Sequence, residues 1–166
     1  MTPLTTPAPP GPPLELLEST TFLLKRLGMA VKGRSIDAFE STGVTGQHFA
    51  VLLVLDEGAR ETQGAIADAL GYDRSHVVRL LDELEERELV VRKRDPDDRR
   101  RHVVKMTPTG RKTLDRLRTL VNEQEEAFLS PLNTAQRATL HELLQKLAGY
   151  HDPRCALKAA ADPAQN

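Results

Sequence analysis

The stretch from Thr62 to Thr107 leaves this chain the fewest choices of fold. It opens with Thr62, a residue type suited to an N-cap, followed by the short apolar-periodic segment Gln63 to Leu70, which carries Ile66, Ala67 and Leu70. Gly71 comes next, the residue that most readily takes the positive φ that ends a helix. Asp73 then caps a second helix through Arg87. In it Val77, Leu80, Leu81 and Leu84 form the buried stripe, while Arg74, Ser75, His76 and Arg79 lie on the outward side near its start. Two short helices joined at so tight a corner read as a helix-turn-helix.

Directly after it, Leu89 to Arg94 and Arg101 to Met106 are β-prone runs. Between them lies the turn-forming connection Asp95-Pro96-Asp97-Asp98-Arg99-Arg100, so the pair reads as a hairpin, a small β-wing. From Arg92 to Lys105 there are seven Lys and Arg against three Asp, a local excess of +4 in a chain whose net charge is −1. A concentrated basic patch is the electrostatic footprint of nucleic-acid binding. A helix fits the major groove of a duplex, and its first turns must then offer side chains that read base edges and touch phosphates. Arg74, Ser75, His76 and Arg79 have that chemistry, and with Asp98, Arg99 and Arg100 they form the candidate DNA-binding set. Asp82, Glu83, Glu85, Glu86 and Glu88 crowd the other half of the second helix, which should therefore point away from DNA.

Around this window the chain reads as helix. Leu17, Leu24 and Val31 recur at seven-residue spacing in a segment from Leu14 to about Ser41, with Gly28 and Gly33 as places for a bend. Thr45 caps a segment whose run Phe49 to Leu55 is apolar all round; strand is open on composition, but the cap before it and Asp56-Glu57-Gly58 after it favour a buried helix. Thr107-Pro108 starts a long helix with Leu114, Leu117, Val121 and Phe128 on one face. Asn133 with Gln136 imitates a capping box ahead of Leu140, Leu143, Leu144 and Leu147. These terminal helices carry more apolar stripe than a small monomeric core requires, and a second subunit is expected to cover it. The organisation expected is thus a proline-rich tail over 1–13, a helical dimerisation region from 14–44 and 108–149, a winged helix-turn-helix over 45–107 and a flexible tail over 150–166. The fold class is mainly α with a small β-wing.

Composition excludes several classes of function. With 166 residues, 39% hydrophobic and 28% charged, the chain can bury one real core and is neither membrane-like nor disordered. Its longest apolar run, Phe49 to Leu55, is far short of the roughly 20 residues of a membrane span, and no secretory signal is visible, so a cytoplasmic protein is expected. The single Cys155 cannot form an internal disulfide. His151 and Cys155 have i, i+4 spacing, but two ligands are not a site and Pro153 interrupts the helix. His141-Glu142 begins like a zinc-protease motif, with Gln145 in place of the second histidine. Neither a catalytic constellation nor a metal or other cofactor is expected.

The run Ala67 to Arg87, followed by Asp95-Pro96-Asp97-Asp98-Arg99-Arg100 and by Met106-Thr107-Pro108-Thr109-Gly110, resembles the MarR family of winged helix-turn-helix regulators. The resemblance extends over about residues 14 to 149. It implies an obligate homodimer joined by its first and last helices, with each recognition helix in a major groove and each wing tip at the flanking minor groove. In the family's D-x-R element, matched by Asp98-Arg99-Arg100, the aspartate orients the arginine that enters the minor groove; that role falls to Arg100, with Arg99 second. Glu88 departs from the pattern, standing where the family usually has the glycine that ends the recognition helix. The resemblance further implies a repressor that occludes a promoter at a pseudo-palindromic operator. A small molecule, often an aromatic acid, would release it from the cleft between dimer helices and reading head. Lining residues are then expected from the first, second and fifth helices, with Phe22, His48 and Arg116 as candidates. Two alternatives stay open: a winged-helix protein-interaction module whose basic patch meets an acidic partner, and a redox-sensing regulator acting through Cys155.

Overall fold

The computed structural model describes residues 11–58, 61–94 and 102–156. Seven helices and one hairpin follow in the order α1 (Leu14–Leu17), α2 (Thr20–Glu40), α3 (Gly46–Asp56), α4 (Gln63–Leu70), α5 (Arg74–Glu86), β1 (Val90–Arg94), β2 (His102–Met106), α6 (Pro108–Phe128) and α7 (Thr134–His151). A 3-10 turn, Pro153–Cys155, succeeds α7.

From α2 onward each helix start is set by a side chain that satisfies amides with no partner inside the helix. Thr45, Thr62, Asp73, Thr107 and Asn133 accept from the backbone amides of His48, Ala65, His76, Gly110 and Gln136. Around Asn133 the capping box is complete, because Gln136 returns the contact to its backbone. At the front of the chain the outcome differs from expectation. The segment breaks at Glu18–Ser19, where Ser19 is extended and caps α2, and α2 then runs unbroken through Gly28 and Gly33. Both glycines face open space, so they lower helix propensity without creating a bend. At the other end α7 continues through Tyr150 and His151, past the expected boundary at 149, and Asp152 starts the 3-10 turn by accepting from the Arg154 amide.

The core lies where α3, α4, α5, the hairpin and the first half of α6 meet. Val51, Leu52, Ile66, Val77, Leu81, Leu84, Val90, Val104, Leu114 and Leu117 are almost fully buried there. β1 and β2 pair antiparallel from Val90 opposite Met106 to Arg94 opposite His102. The Val104 amide also donates to the Glu61 carbonyl, at 2.7 Å, which docks the entry to α4 on the outer edge of β2. Gly110 lets α6 close on this unit: a β-carbon there would stand 2.1 Å from the Leu89 carbonyl oxygen. By contrast, Phe39 is the one buried residue of α2 among the described residues, and α7 buries none in the single chain. Leu24, Leu27, Val31, Leu143, Leu144 and Leu147 are left exposed along these helices. Among the described residues no helix is long and apolar enough to cross a membrane.

Candidate nucleic-acid interface

The turn between α4 and α5 follows from three adjacent residues. Gly71 takes φ +67°, Tyr72 packs half-buried against the core, and the Asp73 carboxylate accepts both the Ser75 hydroxyl and, at 2.8 Å, the His76 amide. Those donors, the Ser75 hydroxyl first, hold the Asp73 carboxyl below its ordinary range, so it stays ionised at the helix start where negative charge is favourable. The cap thereby uses the Ser75 hydroxyl hydrogen, and Ser75 faces outward with its acceptor capacity. Arg74 and Arg79 are exposed, and His76 is half-buried. The His76 ring stands edge-on to Tyr72, with centroids 5.3 Å apart, and its Nδ1 accepts from Nη2 of Arg79 at 2.9 Å. An arginine can only donate, so the ring proton sits on Nε2, which has no hydrogen-bond partner among the described residues. His76 thus serves as a bracket for Arg79.

The acidic half of α5 has a use that spacing alone did not reveal. The Arg92 guanidinium in β1 reaches back to it, with Nη1 2.6 Å from Oε2 of Glu85 and Nη2 2.5 Å from Oδ1 of Asp82. Glu85 also accepts the Arg92 backbone amide at 3.0 Å, and Nη2 donates to the Val78 carbonyl. Lys105 in β2 pairs with Glu61. Among the described wing cations, Arg92 and Lys105 are therefore occupied in holding the hairpin, whereas Lys93 and Arg94 at its outer end are exposed. Asp98, Arg99 and Arg100 lie outside the described residues. The bases of recognition helix and wing share one unit, as expected, and Arg92 moves from the DNA-facing patch to the framework. Its signal was the pairing of an acidic helix end with a basic strand a few residues later.

The candidates for small-molecule contact are not where a cavity lies. A cavity of about 550 Å³ opens among α2, α6 and α7, with Val31, Phe39, Leu120, Val121, Phe128 and Leu144 in its apolar wall and Arg34, Arg137 and His141 adding polar groups. Arg34 lies over the Phe128 ring at 5.4 Å, and Arg137 pairs with Glu126 at 2.5 Å. Phe22, His48 and Arg116 do not line it. Phe22 packs half-buried at the first turn of α2, Arg116 is exposed on α6, and His48 is 1% exposed in the core, where it completes the α3 cap. The lining comes from α7 rather than from the second long helix, α3. The Cys155 thiol is exposed in the 3-10 turn, next to Arg154, which Asp152 holds at 2.8 Å through both carboxylate oxygens. That guanidinium rests over Gly71, so the end of the described chain touches the helix-turn-helix corner.

Comparison with known proteins adds several likenesses. The model of the MarR family matches residues 42–101. A putative transcriptional regulatory protein for the hcr operon of Thauera aromatica is 39% identical over 105 residues, which is 63% of this chain and 63% of that protein. The chain therefore aligns with somewhat under two thirds of that relative's length. CouR of Rhodococcus jostii RHA1, solved with p-coumaroyl-CoA, is 32% identical with a TM-score of 0.70 over 83% of this chain and 95% of the other. In a second structure the transcriptional repressor CouR is bound to a 23-mer DNA duplex, at 36% identity and a TM-score of 0.73 over 81% of this chain and 95% of that one. A MarR-family transcriptional regulator from Rhodococcus sp. RHA1 is 30% identical, with a TM-score of 0.68 over 82% and 97% of the two chains.

Proposed function

The chain belongs to the MarR family of transcriptional regulators, and from that premise we propose that it is a sequence-specific DNA-binding repressor acting as a homodimer on a pseudo-palindromic operator. The observation that carries the reading is the surface formed by Arg74 and Arg79 at the start of a capped, exposed helix, stitched by Arg92 to a hairpin whose outer end bears Lys93 and Arg94. A helix so presented can enter a major groove while the hairpin cations meet the neighbouring backbone. Asp98, Arg99 and Arg100 complete the proposed contact set through the family's motif. Exposed leucines on α2 and α7 suit a second copy, whose two-fold axis would match two half-sites.

The repressor is released, in this reading, by an aromatic acid or its coenzyme A thioester. The cavity among α2, α6 and α7 is of the size that holds the aromatic portion, its wall is largely apolar and aromatic, and Arg34 and His141 suit an anionic portion, whereas Arg137 is paired with Glu126 and Glu125 also lines it. CouR, a relative of similar length and fold, binds p-coumaroyl-CoA. A ligand releases DNA only through its different affinity for the two arrangements of the dimer. The test is fluorescence anisotropy against duplexes that tile the protein's own promoter, at two salt concentrations, with scrambled competitor and then with p-coumaroyl-CoA added. One saturable segment, weakened by salt and resistant to competitor, is the expected result. Equal, weak binding to every duplex would turn the reading toward a protein-interaction module.

A further inference from the structure

The imidazole of His48 is buried in the core, and a leucine in its place would need no polar partners. Nδ1 accepts the Thr45 backbone amide at 3.0 Å, which leaves the ring proton on Nε2. Nε2 stands 3.0 Å from Oε2 of Glu83 on α5, with its N–H not squarely aligned to that oxygen. The charged groups that face the ring are Glu83, Arg87 and Arg79, from α5 and the residue that ends it. Burial, helped by the two arginines and opposed by Glu83, keeps the imidazole neutral below its ordinary range. One turn beyond Glu83, Arg87 donates from Nε to the Gly43 carbonyl at 2.9 Å and from Nη1 to the Glu83 carbonyl at 2.8 Å. Two polar ties therefore join α5 to the α2–α3 turn and the start of α3.

Beside Glu83 on the helix wheel, α5 packs into the core through Val77, Leu80, Leu81 and Leu84. Close packing of that stripe and the Arg92 contacts to Asp82 and Glu85 limit rotation of the helix about its own axis, and the small angle that remains is set by contacts on the other flank. The 3.0 Å contact of Glu83 to the fixed imidazole is one of them. Glu83 is one turn from Arg79 on the same side of the helix, so whatever holds Glu83 also sets where Arg79 points.

We propose that His48 and Glu83 are positioning residues for the recognition helix: the buried imidazole, locked in one tautomer by the α3 cap, fixes the rotation of α5 and with it the aim of Arg74 and Arg79. This rests on the DNA-binding reading above. Loss of the pair would leave a folded head with its reading side chains less sharply directed.

Two single variants separate positioning from folding. Glu83→Ala leaves the α3 cap intact, and Glu83 is partly exposed, so the fold survives. His48→Gln restores the ordinary capping-box residue at this position but shortens the reach toward Glu83. Operator affinity, thermal midpoint and the backbone amide resonances of residues 74–79 are measured for both variants and for the double variant. Glu83→Ala is expected to bind operator roughly threefold to tenfold more weakly with a near-unchanged midpoint, His48→Gln to bind similarly weakly with a lowered midpoint, and the double variant to bind no more weakly than the worse single. A fall is the telling sign for Glu83→Ala, because removing an acidic group on electrostatic grounds alone raises affinity for DNA. Wild-type affinity in Glu83→Ala, or losses that add in the double variant, would overturn the proposal. If the wild-type protein bound no duplex specifically, the DNA-binding reading would fail. The amide resonances would still decide: displacement at 74–79 in Glu83→Ala supports positioning, and unmoved resonances reject it.

Discussion

Glu88 holds the left-handed region at φ +58°, between the end of α5 and the start of β1. For a residue with a β-carbon that conformation costs about 1–2 kcal/mol, and it persists because neighbouring contacts over-determine it. The Glu88 amide donates to the Glu85 carbonyl, and its own carbonyl accepts the Thr107 hydroxyl at 2.7 Å. Glu88→Gly is therefore expected to stabilise the fold by about 1 kcal/mol in denaturant titration, with operator affinity unchanged. His48 makes an opposite, pH-dependent contribution. Its pKa in the folded protein lies below the ordinary 6.5, so between that lower value and 6.5 the unfolded chain binds the extra proton. Stability is full above 6.5 and is lost as pH falls through that window. Thermal denaturation across the window should show this slope in the wild type and a shallower one in His48→Gln. The role of His48 was not legible in sequence, since its place three residues after a cap fits a surface or a pocket as well as a core. Only the fold brings Glu83, 35 residues away, to its second nitrogen.

Helix starts were legible because capping is local: five of the helices begin at the threonine, aspartate or asparagine that the one-dimensional pattern picked out. The front helix was less so. Its leucine spacing continues across Ser19, and periodicity does not report a one-residue departure of the backbone. The tie between hairpin and recognition helix was hidden for another reason: opposite charges separated by a turn can pair or can remain solvated, and composition does not distinguish the two. Arg92→Lys checks the value of the fork geometry, because an ammonium cannot span Asp82 and Glu85 as a guanidinium does. The expected result is a cost of about 1 kcal/mol in stability, given the partial exposure of both acids, with faster amide exchange in β1 and weaker operator binding. Unchanged exchange in β1 would remove Arg92 from its assigned place in the framework.

For the molecule as a whole, the division between a well-filled head and sparsely buried end helices is the main fact. The head has its own core; α2 and α7 hold an apolar surface that a single chain leaves in water. Leu27 is 50% exposed and is not part of that core, so Leu27→Asp should leave the head folded by circular dichroism. In sedimentation equilibrium it should shift the protein from dimer to monomer and, by removing the second reading head, abolish tight operator binding. A variant that stays dimeric would place the subunit contact elsewhere. The stitch from Arg92 to Asp82 and Glu85 has a further consequence at this scale. It makes recognition helix and hairpin base a caliper with a set opening rather than two fingers that adjust separately. A duplex must bring its grooves to that gauge, and sequences that do so at little elastic cost gain an advantage at base pairs that no side chain touches.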